Sequence, residues 1–240
     1  MNILLLGYGK MGIIIGEIAE SRGHQIVGRI NLENRNELET IDPIKIDAII
    51  EFSQPESAVE NISWGLERGI PVVSGTTGWL EHKSKVEEMA KQSEGAFFYA
   101  SNFSIGVNIF FKVNAYLAKL MNETGEYKIA IEEIHHTEKK DAPSGTAITL
   151  AEGIIENISS KNSWNLTGQS TDSEHSIPIT SKRIDPAPGT HIIQYSSDID
   201  TIELIHTAHS RKGFALGAVL VAEWIKGKKG VFSMDDFLSF

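Results

Sequence analysis

The sequence predicts an α/β protein: a doubly wound parallel sheet joined to a second region of α+β character. Three observations carry that expectation. Short continuous apolar runs alternate with helix-patterned stretches up to Phe103, as strands buried on both faces of a parallel sheet require. The first run passes straight into a glycine-rich turn and a helix. Beyond Phe103 the rhythm changes to strands separated by short turns, which suits an open, mixed or antiparallel sheet.

Composition narrows the classes. With 240 residues, 41% of them apolar and 22% charged, the chain is an ordinary globular protein of one large or two modest domains. A formal charge of −10 argues against nucleic acid as a partner, because phosphate contacts need basic surface. The absence of cysteine excludes disulfides and thiolate metal sites, and a reducing cytoplasm fits. The opening run Ile3 to Leu6 is too short for a signal peptide or a membrane span, and Ala215 to Ile225 is interrupted by Gly217 and Glu223. A soluble protein is expected, with no membrane partner.

In chain order, Ile3 to Leu6 is the first strand, and Gly7-Tyr8-Gly9-Lys10-Met11-Gly12 leads into a helix over Ile13 to Ala19. Strand, Gly-x-Gly-x-x-Gly, helix is the order of the dinucleotide fingerprint. Its first glycine permits the tight turn, its second admits the pyrophosphate to the backbone, and its third lets helix and strand pack closely. The second strand, Gln25 to Ile30, ends at Asn31, about 20 residues past the glycines, where an acid would meet the adenosine ribose. Asn31 hydrogen-bonds a hydroxyl without repelling a 2′-phosphate, so NADPH as well as NADH is expected to be accepted.

Strands at Asp47 to Phe52, Pro71 to Ser74 and Ala96 to Ala100, with helices at Ala58 to Glu67 and Trp79 to Ser93, continue the alternation. Ligands of such sheets bind at the carboxyl ends of strands, which places Gly75-Thr76-Thr77 and Ala100-Ser101-Asn102-Phe103 on the cofactor rim. A helix from Val107 to Met121 then precedes a strand over Tyr127 to Ile131. Residues Ser159 to Glu174, rich in Ser, Thr and Asn, read as a loop or excursion. Strands follow at Ile177 to Ile184, His191 to Ser196 and Thr201 to Ala208, then a helix from Gly213 to Ile225. The tail, with Phe232, Met234, Phe237 and Leu238, is too apolar to dangle and is expected to pack back on the first domain. Trp64, Trp79, Trp164 and Trp224 read as packing residues.

Chemistry concentrates in Glu132 to Ala147. His135, His136, Lys139 and Lys140 follow the strand, and Pro143-Ser144-Gly145-Thr146 opens a helix over Ala147 to Ile155. A helix start offers unpaired N–H groups to an anion such as a carboxylate. Adjacent His and Lys add cationic donors and a group that titrates near neutrality. The unit is suited to holding a small acid and moving a proton, with Lys140 a solvated neighbour. His206, His209 and Arg211 follow an apolar strand and either line this pocket or face water. Zinc held by His135, His136 and His206 or His209 is disfavoured, because adjacent histidines chelate poorly and no Glu-x-x-His helix frames them; no metal is expected.

These pieces, with Gly75-Thr76-Thr77-Gly78, Ser101 to Asn108 and Phe214-Ala215-Leu216-Gly217-Ala218, resemble the 4-hydroxy-tetrahydrodipicolinate reductase (dihydrodipicolinate reductase) family from end to end. The resemblance implies an N-terminal Rossmann-type domain, residues 1–105 plus about 213–240, that binds the dinucleotide. It implies an inserted α+β substrate and tetramerisation domain at about 106–212. It further implies NADPH- or NADH-dependent reduction of a cyclic imine dicarboxylate in lysine and diaminopimelate biosynthesis, by a cytoplasmic homotetramer. Carried over by motif, His135 is the acid/base residue and Lys139 the proton donor. His136, Gly145, Thr146 and Arg211 meet substrate; Gly7 to Gly12, Gly75 to Thr77 and Ala100 to Phe103 hold the cofactor. Two departures stand out: Asn31 replaces the family's usual acid, and the loop from Ile30 to Asp47 is short. Rival readings are another two-domain Rossmann dehydrogenase and a catalytically silent dinucleotide sensor; neither needs His-His-x-x-Lys joined to Ser-Gly-Thr.

Overall fold

The computed structural model describes residues 1–168 and 174–240. In chain order its elements are β1 (Asn2–Leu6), α1 (Lys10–Ser21), β2 (Gln25–Ile30), β3 (Ala48–Glu51), α2 (Pro55–Leu66), β4 (Val72–Ser74), α3 (Lys83–Gln92), β5 (Ala96–Tyr99), α4 (Ile105–Met121), β6 (Lys128–His135), α5 (Gly145–Ile155), β7 (Ser163–Leu166), β8 (Ser176–Arg183), β9 (Gly189–Ser196), β10 (Thr201–Ala208), α6 (Lys212–Ile225), β11 (Gly230–Phe232) and α7 (Met234–Leu238). They form two compact units, Met1–Ile105 with Arg211–Phe240, and Gly106–Ser210.

The first unit holds a six-stranded sheet, β11-β5-β4-β3-β1-β2, parallel throughout. Successive residues of β1 feed opposite cores. Ile3 and Leu5 pack with Ile15 and Ala19 of α1 and Ala218 and Ala222 of α6. Leu4 and Leu6 pack with Ala58 and Ile62 of α2 and Val86 and Ala90 of α3. A strand buried on both faces must be apolar throughout, and each such side chain contributes about 1.5–3 kcal/mol. Strand order reverses between β1 and β3, so the turns leaving their carboxyl ends, Gly7–Gly9 and Phe52–Ser53, frame the crevice where nucleotides bind in this architecture.

Two local outcomes differ from sequence expectation here. Trp79 to Ser93 is not one helix: buried Trp79 donates from Nε1 to the Thr76 carbonyl at 2.7 Å, and a short 3₁₀ turn, Leu80–His82, intervenes before α3. The tail does more than cover the sheet. It adds β11 parallel to β5, and Trp224 meets Phe232 and Phe237 edge-on at 5.2 and 5.8 Å. Close approach explains Gly217: a Cβ there would lie 1.8 Å from the Phe103 carbonyl oxygen.

The second unit carries a mixed five-stranded sheet, β10-β9-β6-β8-β7. β6 runs parallel to β8 and antiparallel to β9. One face packs on α4 and α5 through Ile131, Ile179 and Ile193 against Phe110, Ala118, Leu150 and Ile154. The expected strand Tyr127 to Ile131 continues to His135, and strict alternation puts Glu133 and His135 on the same buried face as Ile129 and Ile131. Ser159 to Glu174 is not wholly loop. Ser163–Leu166 pairs as an edge strand with β8, the ladder overriding a weak local preference, while residues 169–173 lie outside the described residues. Among the described residues no helix is long and apolar enough to cross a membrane.

Candidate active site

In the first unit the glycine turn is built for close approach. Gly7 has φ +94°, and a Cβ on it would lie 2.0 Å from the Phe52 carbonyl oxygen; one on Gly12 would lie 2.2 Å from the Gly7 oxygen. A Cβ on Gly9 would meet nothing within 4 Å, so that glycine keeps open a space that a ligand can occupy. Gly9 caps α1 without a side-chain hydrogen bond, and no acidic residue lies in the first turn, so the positive helix end remains available to an anion. Two concavities meet along Gly9, Phe52 and Ser53. One, about 290 Å³, runs past Gly7, Tyr8, Asn31, Glu33 and Arg35; the other, about 350 Å³, runs past Lys10, Met11, Gly75, Thr76 and Thr77. Open glycine cradle, free helix start and elongated groove together fit a dinucleotide.

The rim residues divide by role. Asn31 Oδ1 accepts the N–H of Glu33 at 2.9 Å and of Asn34 at 3.1 Å, shaping the turn that borders the first concavity. The hydroxyl of Tyr8 accepts from Arg29, whose guanidinium also pairs with Glu20. Ala100 and Phe103 are buried; the Phe103 ring packs on Phe52 and Phe98 at 5.5 and 5.8 Å. Asn102 Oδ1 accepts the Ser104 N–H, and Ser101 and Thr77 are exposed.

Beneath this rim lies Glu51, fully buried and without a role in the sequence reading. Its carboxyl accepts from the hydroxyls of Ser53, Ser74 (2.7 Å) and Thr76 (2.9 Å). Burial pushes its pKa up, against the pull of these donors. The cluster ties the ends of β3 and β4 together, which sets Gly75-Thr76-Thr77 beside the glycine turn.

In the second unit, β6 delivers His135 to the end of the strand and Ser144 caps α5, its hydroxyl accepting the Ala147 N–H at 3.2 Å. The N–H groups of Gly145 and Thr146 find no acceptor among the described residues, and a Cβ on Gly145 would meet open space. Such a helix start can receive an anion. Lys139 Nζ lies 2.9 Å from Asp141 Oδ2. His136 is half-buried and Lys140 exposed. Arg211, the N-cap residue of α6, is exposed and belongs to the first unit. His206 lies 5.8 Å from the Phe110 ring, its pKa lowered by burial and by His209.

Sequence reasoning missed the group that organises this end of the sheet. Glu133, fully buried, accepts the Ser144 N–H at 3.1 Å on each oxygen, the Ser181 hydroxyl at 2.8 Å and Arg183 Nη2 at 3.3 Å. Burial raises its pKa, but donors from Ser144 and Ser181 and neighbouring His135 more than offset this, so it stays ionised. Ser144 Oγ is also 3.2 Å from His191 Nε2. Burial holds His135 below its usual pKa, helped by Lys139 and Arg183 and opposed by Glu133. Burial, with neighbouring His135, takes His191 down to about 4. Parity along β6 is the signal that would have exposed Glu133, since it shares a face with Ile131.

Donor atoms of Glu133, His135 and His191 lie within 4.8 Å of one another, the spacing of a metal site. The surroundings oppose a cation. Arg183 already contacts the carboxylate, and Lys139 and Arg183 add positive charge beside His135 to the burial that chiefly lowers its pKa.

Comparison with known proteins identifies the family. Residues 1–103 match the family model for dihydrodipicolinate reductase, N-terminus, and residues 106–238 that for dihydrodipicolinate reductase, C-terminus. The chain is 50% identical over 241 residues to the 4-hydroxy-tetrahydrodipicolinate reductase of Christiangramia forsetii, covering 100% of this chain and 98% of that one. It is 36% identical to the Methanocaldococcus jannaschii protein of that name, covering 95% and 83%. The solved dipicolinate-bound dihydrodipicolinate reductase of Paenisporosarcina sp. TG-14 shares the fold at TM-score 0.74 over 97% of each chain, with 22% identity. Matched along its whole length in both halves, the chain belongs to the dihydrodipicolinate reductase family.

Proposed function

We infer that this chain reduces 4-hydroxy-tetrahydrodipicolinate to tetrahydrodipicolinate with NADH or NADPH, in lysine and diaminopimelate biosynthesis. Family membership carries the reaction, and the observation that carries the site is the loop joining Lys139 to the start of α5, where the Gly145 and Thr146 N–H groups find no acceptor among the described residues. We assign dinucleotide binding to the first unit and substrate binding to the second.

Overall the substrate loses its 4-hydroxyl as water and gains one hydride and one proton. A bound dihydronicotinamide supplies the hydride. Gly7 to Gly12 would hold the pyrophosphate, Asn31 the adenosine ribose, Gly75 to Thr77 the nicotinamide half, and the backbone of Ala100 to Phe103 the remaining rim. Gly145 and Thr146 receive a substrate carboxylate, with His136 and Arg211 as further contacts. Lys139 holds the proton and gives it to the ring as electron density builds there, a contribution of roughly 10²–10⁴-fold. Burial keeps His135 largely neutral at pH 7, so it orients substrate and exchanges protons with it while Lys139 remains the acid.

The outer face of the second sheet carries Ile134, Ile192 and Ile205, with Ile205 56% exposed, and among the described residues no helix of the second unit packs there. That face supports self-association as a homotetramer, which light scattering reads directly. A cytoplasmic site fits a cysteine-free chain. The test of function is a coupled assay: supply the condensation product of pyruvate and aspartate semialdehyde, and follow oxidation of each coenzyme. Failure to oxidise either removes the enzyme reading.

A further inference from the structure

Arg183 ends β8, on the strand next to β6, and its guanidinium reaches four acceptors. Nη1 donates to the Lys182 carbonyl at 2.9 Å, Nε to the Lys139 carbonyl at 3.3 Å, and Nη2 to the Asp141 carbonyl at 2.6 Å and to Glu133 Oε1 at 3.3 Å. Two of those carbonyls flank Lys140, so one planar side chain grips the loop at Lys139 and again two residues on. The loop has little else to hold it. Lys139 N donates to the His136 carbonyl at 3.2 Å, and Thr137 is tethered to Asp185; Glu138, Lys140, Asp141 and Ala142 are exposed.

Glu133 completes the arrangement. The carboxylate that receives Arg183 also receives the N–H of Ser144, the residue that opens the anion cradle. A chain of charge-assisted hydrogen bonds therefore runs from the Lys139 carbonyl through Arg183 and Glu133 to the start of α5. Such bonds are stronger and more directional than neutral ones, and the guanidinium fork fixes angle as well as distance. A buried ionised carboxylate beside a guanidinium is expensive unless both are well hydrogen-bonded; here Glu133 accepts on both oxygens and Arg183 donates from all three nitrogens.

We propose that Arg183 is a positioning residue for the reduction: through Glu133 it sets the backbone carrying Lys139 at a fixed distance from the carboxylate cradle at Gly145 and Thr146. The proposal rests on the assignment of Lys139 as proton donor. Arg183 itself donates the proton to nothing; it determines where the donor stands relative to the bound acid. A lysine at this position would keep the charge and lose the fork, so it would not hold both carbonyls and the carboxylate together.

The test compares Arg183→Ala, Arg183→Lys and Lys139→Ala in the coupled assay, with coenzyme affinity measured separately by fluorescence titration. Misplacement of a reacting group by about 1 Å costs on the order of 10²-fold, so Arg183→Ala should lose about that much kcat while binding NADH and NADPH as wild type does. Added guanidinium ion should restore part of the Arg183→Ala rate and none of the Lys139→Ala rate. Arg183→Lys, which keeps bulk and charge, serves if the alanine variant does not fold, and should lose at least about tenfold in kcat. Wild-type kcat in either Arg183 variant overturns the proposal, as does a loss of coenzyme affinity equal to the loss of kcat. If Lys139→Ala retains its rate, the assignment of Lys139 falls, and the positioning role falls with it; if only the Arg183 variants retain theirs, Lys139 stands and the positioning role alone is lost.

Discussion

Glu133 and Ser144 meet across the turn from β6 to α5, each carboxylate oxygen accepting the Ser144 N–H at 3.1 Å. The helix start that would bind substrate is thus held by a buried charge two residues before His135 on the same strand face. Glu133→Gln keeps an acceptor for that N–H but removes the charge facing Arg183. Weakening a hydrogen bond to a charged buried group costs about 1–3 kcal/mol, so urea unfolding should be destabilised by that amount, with a raised KM for the dicarboxylate. An unchanged midpoint and KM would contradict the role given to this carboxylate.

His191 makes the fold sensitive to acid. Its folded pKa, about 4, lies below the ordinary value of 6.5, so the unfolded chain takes up a proton first as pH falls. Stability is therefore retained above pH 6.5 and lost between there and about pH 4, by up to ~1.4 kcal/mol per pH unit for one such group. The lowered pKa of His135 adds in the same direction, and lowered Glu133 adds below the ordinary carboxylate range. Urea midpoints across this range should fall toward acid, and His191→Gln should flatten the slope. A pH-independent midpoint would argue against neutral buried histidines.

Two glycines of the same turn should respond differently to one methyl group. Gly9→Ala meets no neighbour within 4 Å, so stability should change by less than about 0.5 kcal/mol. Its Cβ fills the cradle, and coenzyme Kd should rise about tenfold or more, since the role proposed for that glycine is to admit the pyrophosphate. Gly7→Ala combines φ +94° with a 2.0 Å clash and should destabilise the fold by about 1–3 kcal/mol as well as weaken binding. Equal thermal losses in both variants would mean that Gly9 is structural.

We assign coenzyme choice to Asn31. Asn31→Asp preserves the acceptor that receives Glu33 and Asn34 and adds a charge opposed to a 2′-phosphate. The ratio of kcat/KM for NADH over NADPH should rise about tenfold, the size of a single interaction of ~1.4 kcal/mol. No change in that ratio would place the adenosine ribose elsewhere.

What the sequence made legible was contiguous in it. The glycine turn, the Gly75-Thr76-Thr77 rim and the run from His135 to Thr146 are each one short stretch, so local pattern and position along the chain mark them as candidates. The supporting clusters are assembled across strands. Glu133 meets Arg183 at a separation of 50 residues, and Ser144 meets His191 at 47, through register between β6, β8 and β9 that local pattern does not encode. Glu51 joins Thr76 across 25 residues for the same reason. The edge strand Ser163–Leu166 escaped notice because its residues favour a loop and only pairing with β8 makes them a strand.

Turnover and coenzyme affinity of Lys139→Ala, measured together, put the proposed chemistry to its most direct test. With Lys139 as proton donor, kcat falls by roughly 10²–10⁴-fold while the Kd for NADH stays at its wild-type value. Undiminished turnover, or a matched loss of turnover and coenzyme binding, would contradict that role.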